Sequence, residues 1–223
     1  MIPVFKPTKT AKAIAVGGMI GMGKSTLATA LAKRLEGYVE LELHQKDKIT
    51  ELLLEKLYER DSDKYASVFQ LYFALTRSEA YRKNANRERI TIFDRTIFED
   101  YMFAIKNIKD HNVIRYYISL WDNEIKKLIY KYGVPAFYII IKGSDKLMVD
   151  RIKDRKRKCE VENLDKNLDY LLELNRIYCE YLERICYNYN IDYMVIEADI
   201  PTEVQVNKIV KELYERKICY QKM

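Results

Sequence analysis

Residues 18–25 combine three closely spaced glycines with a lysine and a serine. The stretch reads GMIGMGKS, which follows the GxxxxGKS pattern of a P-loop. Glycines let backbone N–H groups approach phosphate oxygens closely, and a helix after the loop adds the positive end of its dipole. Lys24 can reach the β- and γ-phosphates of a nucleoside triphosphate, and the Ser25 hydroxyl can bind Mg²⁺. The pattern predicts a triphosphate site, without identifying what receives the phosphate, at Gly18, Gly21, Met22, Gly23, Lys24, Ser25 and Thr26.

An acid and an arginine, Asp94 and Arg95, follow a short apolar stretch at residues 90–93. A carboxylate at the end of a strand beside a P-loop can hold Mg²⁺ or the water molecules bound to it. The neighbouring guanidinium can stabilise the charge on a phosphoryl group during its transfer. Alone, such a pair fits a surface ion pair equally well, so its interpretation depends on the residues around it.

Two further groups of polar residues could complete such a site. Gln70 and Arg77 are seven residues apart, which places them on one face of a predicted helix. A glutamine amide can pair with the edge of a nucleobase, although it can also satisfy polar groups inside a core. Residues 151–158 read RIKDRKRK and could form a basic lid over phosphates, although a solvated helix face is the alternative; the arginines are Arg151, Arg155 and Arg157.

Short apolar runs alternate with longer amphipathic stretches, and these elements must position the polar residues. Continuous apolar runs are typical of strands buried on both faces, so the pattern predicts a three-layer α/β fold with a five-stranded parallel sheet flanked by helices. The carboxyl ends of the strands would then gather the polar residues. Strands are predicted at residues 14–16, 38–43, 90–93, 137–141 and 193–196, and helices at 25–35, 49–58, 68–81, 114–130, 164–189 and after Pro201.

Length and composition fit one globular domain. The chain has 223 residues, of which 48% are hydrophobic and 32% charged, and its net charge is +6. No apolar run reaches the roughly 18 residues of a membrane-spanning helix, and the four cysteines are scattered, so we expect a reduced, cytoplasmic protein. We expect a loose tail at residues 1–12 and a single domain at residues 13–223, with the lid at about 151–160.

Taken together, the motifs resemble those of the deoxynucleoside kinase family, which includes deoxyadenosine, deoxyguanosine and deoxycytidine kinases. The resemblance extends from about Ile14 to Leu213 and rests on GGMIGMGKST, VFQLYFALTRSEAY, IFDRTIFEDYMF and DRIKDRKRKCE, in this order. It implies transfer of the γ-phosphoryl of ATP, or of another nucleoside triphosphate, to the 5′-hydroxyl of a deoxyribonucleoside in nucleotide salvage. It also implies a homodimer that uses Mg²⁺ and small-molecule substrates and binds neither nucleic acid nor membrane.

The resemblance further implies roles for residues around the phosphoryl donor. Ser25 and Asp94 would bind Mg²⁺, and Lys24 would contact the triphosphate. Arg95 would lie between the attacking 5′-oxygen and the donor phosphates. The lid would consist of Arg151, Arg155 and Arg157.

Around the acceptor, the resemblance implies that the nucleobase pairs with Gln70 and stacks on Phe103. Arg77 and Asp100 would lie near the exocyclic edge of the base, a combination that in this family accompanies deoxycytidine and the deoxypurines. We therefore expect deoxyadenosine, deoxyguanosine or deoxycytidine as acceptor, with a lean to the deoxypurines and poor use of thymidine. The sugar 3′-hydroxyl would be held by Tyr58 and Glu160.

The sequence departs from the family pattern at two places. The family usually has a Glu-Pro pair after the second strand, with the glutamate acting as the base near the 5′-hydroxyl, whereas residues 40–44 here read ELELH. Glu42 is the predicted base, with Glu40 and His44 open as alternatives and a solvated edge-strand glutamate as a further one. In the lid, Cys159 replaces the first of two acidic residues, so that Glu160 alone remains.

Other classes of protein share parts of this pattern. A nucleoside monophosphate kinase resembling thymidylate kinase is the main alternative, although the acid-rich second strand favours a neutral acceptor. A P-loop GTPase would need an NKxD-type motif, whereas residues 107–110 read NIKD. A nucleic-acid-binding module using residues 151–158 would bind DNA with a steep salt dependence.

Overall fold

The computed structural model describes residues 9–42, 48–58, 62–155, 161 and 163–219, and for residues 51, 54, 57, 58 and 62–64 it describes the backbone alone. In the described residues, five parallel strands form one sheet in the order β2-β3-β1-β4-β5. The predicted α/β fold with a five-stranded parallel sheet is therefore confirmed. The strands are β1 (Thr10–Gly18), β2 (Tyr38–Glu40), β3 (Thr91–Asp94), β4 (Val134–Lys142) and β5 (Tyr193–Glu197).

Helices connect the strands and cover the sheet. They are α1 (Lys24–Arg34), α2 (Lys48–Tyr58), α3 (Ser62–Asn84), α4 (Asp100–Asn107), α5 (His111–Tyr132), α6 (Asp145–Arg155), α7 (Leu164–Tyr189) and α8 (Thr202–Glu215), with a short 3-10 helix at Ile97–Glu99. The 3-10 helix, α4 and α6 were not predicted. Helix α6 buries only Met148 and Ile152, which leaves no apolar stripe long enough to reveal it. Among the described helices, none is long and apolar enough to cross a membrane.

The central strands anchor the loops that carry polar residues. Residues 13–16 of β1 are completely buried, and the four residues of β3 are buried as well. Val16 of β1 is directly beside Asp94 of β3 in the parallel register. Because strands β1 and β3 end close to this point, the loop after β1 and the Asp94–Arg95 pair at the end of β3 are neighbours.

The second strand is shorter than predicted. It was expected at residues 38–43 but ends at Glu40, so Glu42 follows the strand instead of belonging to it. β2 lies at the edge of the sheet and pairs with β3 alone, where its last partner is Phe93. Strand β3 ends one residue later, at Asp94. Beyond Glu40, β2 therefore has no neighbouring strand with which to form backbone hydrogen bonds.

The N-terminal boundary also differs from the expected one. Strand β1 begins at Thr10, which pairs with Val134 of β4. Residues 10–12, expected in a loose tail, therefore belong to the central strand, and residues 1–8 lie outside the described part of the chain.

Candidate active site

The loop between β1 and α1 forms a cradle of backbone groups. Gly21 and Gly23 have φ angles of 77° and 83°, a left-handed conformation that strains residues with a side chain. A Cβ atom on Gly18 would lie 3.1 Å from the carbonyl oxygen of Ile141, so the first glycine also permits a close approach to β4. The side chains of Ser25 and Thr26 are exposed on the first turn of α1. This backbone conformation is compatible with the predicted binding of a triphosphate by the loop.

Lys24 is buried beneath this loop. Its Nζ atom donates a hydrogen bond of 3.1 Å to the carbonyl oxygen of Met19. Burial and the nearby Arg95 together lower the pKa of Lys24 to about 8, although Asp94 opposes the change. An anion placed in the cradle would supply the negative charge that this ammonium lacks.

Ser25 and Asp94 come together as a pair of oxygen ligands. The Ser25 hydroxyl donates to Asp94 Oδ2 at 2.5 Å, and the buried Asp94 Oδ1 has no hydrogen-bond partner among the described residues. Burial raises the pKa of Asp94, although Lys24 opposes the rise. A hydroxyl beside a carboxylate with an unpaired oxygen fits Mg²⁺, which usually takes few protein ligands and completes its shell with phosphate and water oxygens. The described residues contain no group of three or more His, Cys, Asp or Glu side chains that could hold a metal alone.

Arg95 is fixed at both its backbone and its guanidinium. Its φ angle of 69° is unusual for a residue with a side chain, and its N–H donates to Val16 O at 3.0 Å. Nε donates to Glu42 Oε2 at 3.0 Å, and Nη1 donates to Glu99 Oε2 at 2.6 Å and to the Tyr178 hydroxyl. Burial alone would lower the pKa of Arg95, but these three partners outweigh it and hold the pKa well above its ordinary value.

Glu42 lies between two arginines. One carboxylate oxygen accepts from Arg95 and the other accepts from Arg77. Burial alone would raise the pKa of Glu42, but Arg95 and Arg77 lower it to about 2, so the group is ionised at neutral pH. Glu40 instead accepts a hydrogen bond of 2.8 Å from Asn84 Nδ2, and His44 lies outside the described residues. Of the two described candidates for the base, Glu42 is therefore the one in contact with Arg95.

Helices α3 and α4 bring the predicted nucleobase-binding residues together. Arg77 forms an ion pair with Asp100 in addition to its bond with Glu42. Gln70 is 2% exposed and Asp100 is completely buried, yet Gln70 Nε2 and Asp100 Oδ2 have no hydrogen-bond partner among the described residues. The Phe103 ring centroid lies 5.1 Å from the Arg95 guanidinium carbon. Buried polar atoms are normally paired, so the unpaired atoms indicate a ligand with complementary hydrogen-bonding groups.

The predicted lid is described only in part. Arg151 of α6 donates to Gly21 O at 3.3 Å and to Ala198 O at 2.8 Å, so it joins the phosphate-binding loop to the segment after β5. Arg155 is exposed at the end of α6. Arg157 and Glu160 lie outside the described residues, and so does the side chain of Tyr58.

Two buried residues in contact with Arg95 were not predicted from the sequence, namely Glu99 and Tyr178. The core residue Tyr138, which packs behind Glu99, was not singled out either. Glu99 contacts Arg95 and accepts from the hydroxyl groups of both tyrosines. Its spacing of four residues from Arg95 could have suggested an ion pair on a helical turn. The tyrosines belong to apolar strand and helix patterns, in which nothing distinguishes a functional hydroxyl from ordinary core packing.

Comparison with known proteins agrees with this geometry. The deoxynucleoside kinase family matches residues 14–219 of the chain. An uncharacterized protein of Mycoplasma pneumoniae is 42% identical over 221 residues, which are 98% of this chain and 96% of that protein. The deoxyadenosine kinase of Dictyostelium discoideum is 32% identical over 179 residues, 77% of this chain and 67% of the relative.

A solved structure is similar over almost the same span. The deoxyadenosine kinase from M. mycoides with bound dATP has a TM-score of 0.74 and 26% sequence identity. The match covers 91% of this chain and 99% of that structure.

Proposed function

This chain belongs to the deoxynucleoside kinase family, and we propose that deoxyadenosine is its preferred acceptor. A member of this family transfers the γ-phosphoryl of a nucleoside triphosphate to the 5′-hydroxyl of a deoxyribonucleoside. The alternative of a nucleoside monophosphate kinase is not favoured, because the family match spans residues 14–219 and the named relatives are deoxyadenosine kinases.

The buried acid beside Arg77 supports an acceptor whose base carries an exocyclic amine, which adenine, guanine and cytosine share. Among these bases, the likeness to deoxyadenosine kinases supports adenine. Asp100 is completely buried and keeps one carboxylate oxygen without a partner among the described residues. The exocyclic amine of adenine can donate to that oxygen, and the Gln70 amide can pair with the neighbouring base edge. Thymine has no exocyclic amine. A buried acceptor left unpaired costs about 1–3 kcal/mol, which corresponds to roughly ten- to hundredfold discrimination.

For the chemical step, we propose direct in-line transfer with Glu42 as the group that receives or orients the 5′-hydroxyl proton. Its place beside Arg95 supports this role, and so does its ionised state. Lys24 and Arg95 would offset the charge that develops on the phosphoryl group. Arg77 also donates to Glu42. A nucleobase that binds Arg77 would loosen this contact, and the pKa of Glu42 would rise because less positive charge would face the carboxylate.

Mg²⁺ would be held by Ser25 and Asp94, where it would neutralise charge on the donor oxygens. The donor would be ATP or another nucleoside triphosphate, with its phosphates in the cradle of residues 18–26. Arg151 would support that cradle through Gly21, and closure of the lid would exclude water from the donor. Use of a nucleoside triphosphate also agrees with the cytoplasmic location expected from the sequence.

We also propose that residues 13–223, together with residues 10–12 of strand β1, act as one domain and that this domain forms a homodimer. In the described part of the chain, one hydrophobic core takes residues from Ala11 to Leu213, which supports one folding unit. Two helices that pack against each other, α3 and α5, carry apolar side chains spaced along one outer stripe each. These side chains are Val68, Leu71 and Leu75 on α3, and Val113, Tyr116 and Leu120 on α5.

The proposed function is tested by measuring kcat/KM for the four deoxynucleosides with ATP and Mg²⁺, with deoxynucleoside monophosphates as competing acceptors. We expect deoxyadenosine to give the highest value and thymidine to be at least about tenfold poorer. A highest value for thymidine would refute the role of Asp100. Phosphorylation of monophosphates in the absence of any activity on deoxynucleosides would refute the assignment of the acceptor.

A further inference from the structure

A cluster of buried polar groups lies on the side of Arg95 opposite Glu42. Glu99 and Tyr138 are completely buried, and Tyr178 is 2% exposed. Glu99 Oε1 accepts from the Tyr138 hydroxyl at 2.7 Å, while Glu99 Oε2 accepts from Arg95 at 2.6 Å and from the Tyr178 hydroxyl. A buried ion pair is often no more stabilising than apolar residues of the same volume. Its value here is therefore to fix the position of Arg95.

Within this cluster, Tyr178 has contacts that Tyr138 lacks. The Tyr178 hydroxyl oxygen accepts from Arg95 Nη1, whereas the Tyr138 hydroxyl bonds to Thr96 and Glu99. The Tyr178 ring centroid lies 5.6 Å from the guanidinium carbon of Arg95. Tyr178 comes from the middle of α7, a helix of 26 residues, so its hydroxyl is held by a long rigid element.

The orientation of Arg95 needs such support. Its backbone has a φ angle of 69°, and its guanidinium is buried. Within the described residues, Nε and Nη1 bind protein oxygens, which leaves Nη2 for an oxygen of the substrates. We propose that Tyr178 is a positioning residue, which together with Glu99 fixes the Arg95 guanidinium so that Nη2 meets the transferred phosphoryl group.

The proposal rests on the proposed role of Arg95, and a matched pair of variants tests it. Tyr178→Phe and Tyr138→Phe each remove one buried hydroxyl that donates to Glu99, but only the first also removes a hydrogen bond to Arg95. We expect Tyr178→Phe to lower kcat for deoxyadenosine phosphorylation about tenfold or more, with KM for both substrates changed less than about threefold. Tyr138→Phe should keep kcat within about threefold of the wild-type value. Equal losses in kcat for the two variants would overturn the proposal.

A double-mutant cycle shows whether Tyr178 acts through Arg95. We expect Tyr178→Phe to cause no further loss of kcat when it is introduced into Arg95→Ala. The same loss in both backgrounds would assign Tyr178 a merely structural role and overturn the proposal. If thermal melting shows that Tyr178→Phe is unfolded, Glu99→Gln replaces it in the cycle, since it weakens the same hold on Arg95 and should likewise have no effect in Arg95→Ala.

The reference for all these comparisons is the wild-type rate with deoxyadenosine. A wild-type protein that phosphorylates no deoxynucleoside would contradict the proposed function itself. A wild-type protein that is active, with equal losses in the two tyrosine variants, would contradict only the role of Tyr178.

Discussion

Lys24 shows how a single side chain can be kept ready for a phosphate group. Its pKa of about 8 arises because burial and Arg95 disfavour the ammonium form, although Asp94 offsets part of the effect. Triphosphate oxygens at van der Waals distance would favour the ammonium again and raise the pKa. The lysine is therefore already charged at pH 7 but largely neutral at pH 9 in the free protein.

We predict that Lys24 takes up close to one proton per site when a triphosphate binds at pH 9. At pH 7 the uptake by Lys24 should be almost zero, because the lysine is already protonated. The affinity should therefore fall as the pH rises above 8. Calorimetric titration in two buffers of different ionisation enthalpy measures the uptake, and Lys24→Met should abolish it. Equal proton uptake at pH 7 and pH 9 would contradict the lowered pKa.

Glu42 gives a second prediction for a single residue. Glu42→Gln keeps the shape of the side chain but removes the carboxylate that faces Arg95. We expect kcat to fall by about 10²–10⁴, the usual contribution of a general base, with a much smaller change in KM for the nucleoside. Steady-state kinetics at saturating triphosphate measures both parameters.

Glu40→Gln is the matched control, because Glu40 is two residues away and bonds to Asn84 instead of an arginine of the site. It should retain kcat within a few-fold. A larger loss of kcat in Glu40→Gln than in Glu42→Gln would show that the wrong glutamate has been assigned as the base.

Among the secondary-structure elements, α6 supports the phosphate-binding loop from outside the sheet. Its one described hydrogen bond to the loop after β1 comes from Arg151, which donates to Gly21 O and also to Ala198 O after β5. The loop conformation depends on positive φ angles that have to be held in place. We therefore expect this helix to affect triphosphate binding through the loop that it contacts.

We predict that Arg151→Ala raises KM for the triphosphate about tenfold or more and changes KM for the nucleoside by less than about threefold. Lys153→Ala is the control, since Lys153 is exposed on the same helix and its substitution also removes one positive charge. Kinetics with each substrate varied in turn gives the comparison. If KM for the triphosphate increased to a similar extent in both variants, Arg151 would act only through its positive charge and not through its hydrogen bond to Gly21.

At the scale of the whole molecule, the proposed dimer depends on the apolar stripes of α3 and α5. Leu75 is 62% exposed and Leu120 is 59% exposed, and a charge at either position would be desolvated in a packed interface. We predict that Leu75→Glu with Leu120→Glu converts a dimer of two 26.6 kDa chains into monomers without loss of helicity. Light scattering after size-exclusion chromatography measures the mass.

Tyr187→Glu is the control for this experiment, because Tyr187 is 83% exposed on α7, outside both stripes. It should leave the mass unchanged. A wild-type protein that is monomeric at micromolar concentration, or a double variant that remains dimeric, would contradict the proposed interface.

The fold followed from the sequence where an element is long and its apolar residues are regularly spaced. Helix α7 occupies the predicted residues 164–189, and each of the five predicted strands is present. Helix α4 was not predicted because its eight residues are too short for two full repeats of an apolar stripe. The end of β2 was not predicted either, because it depends on where its neighbour β3 stops pairing.

The sequence by itself determined the kind of chemistry, because the phosphate-binding loop is a continuous stretch whose glycines and Lys24 act through local backbone geometry. Tertiary structure decided which other side chains join it. Glu42 meets Arg95 across 53 residues of chain, and Tyr178 meets it across 83. Such contacts depend on the sheet register and on the packing of α7, which no local pattern of residue types specifies. For this reason the sequence predicted Glu42 as the base but left Glu40 and His44 open, and it gave no indication of Tyr178.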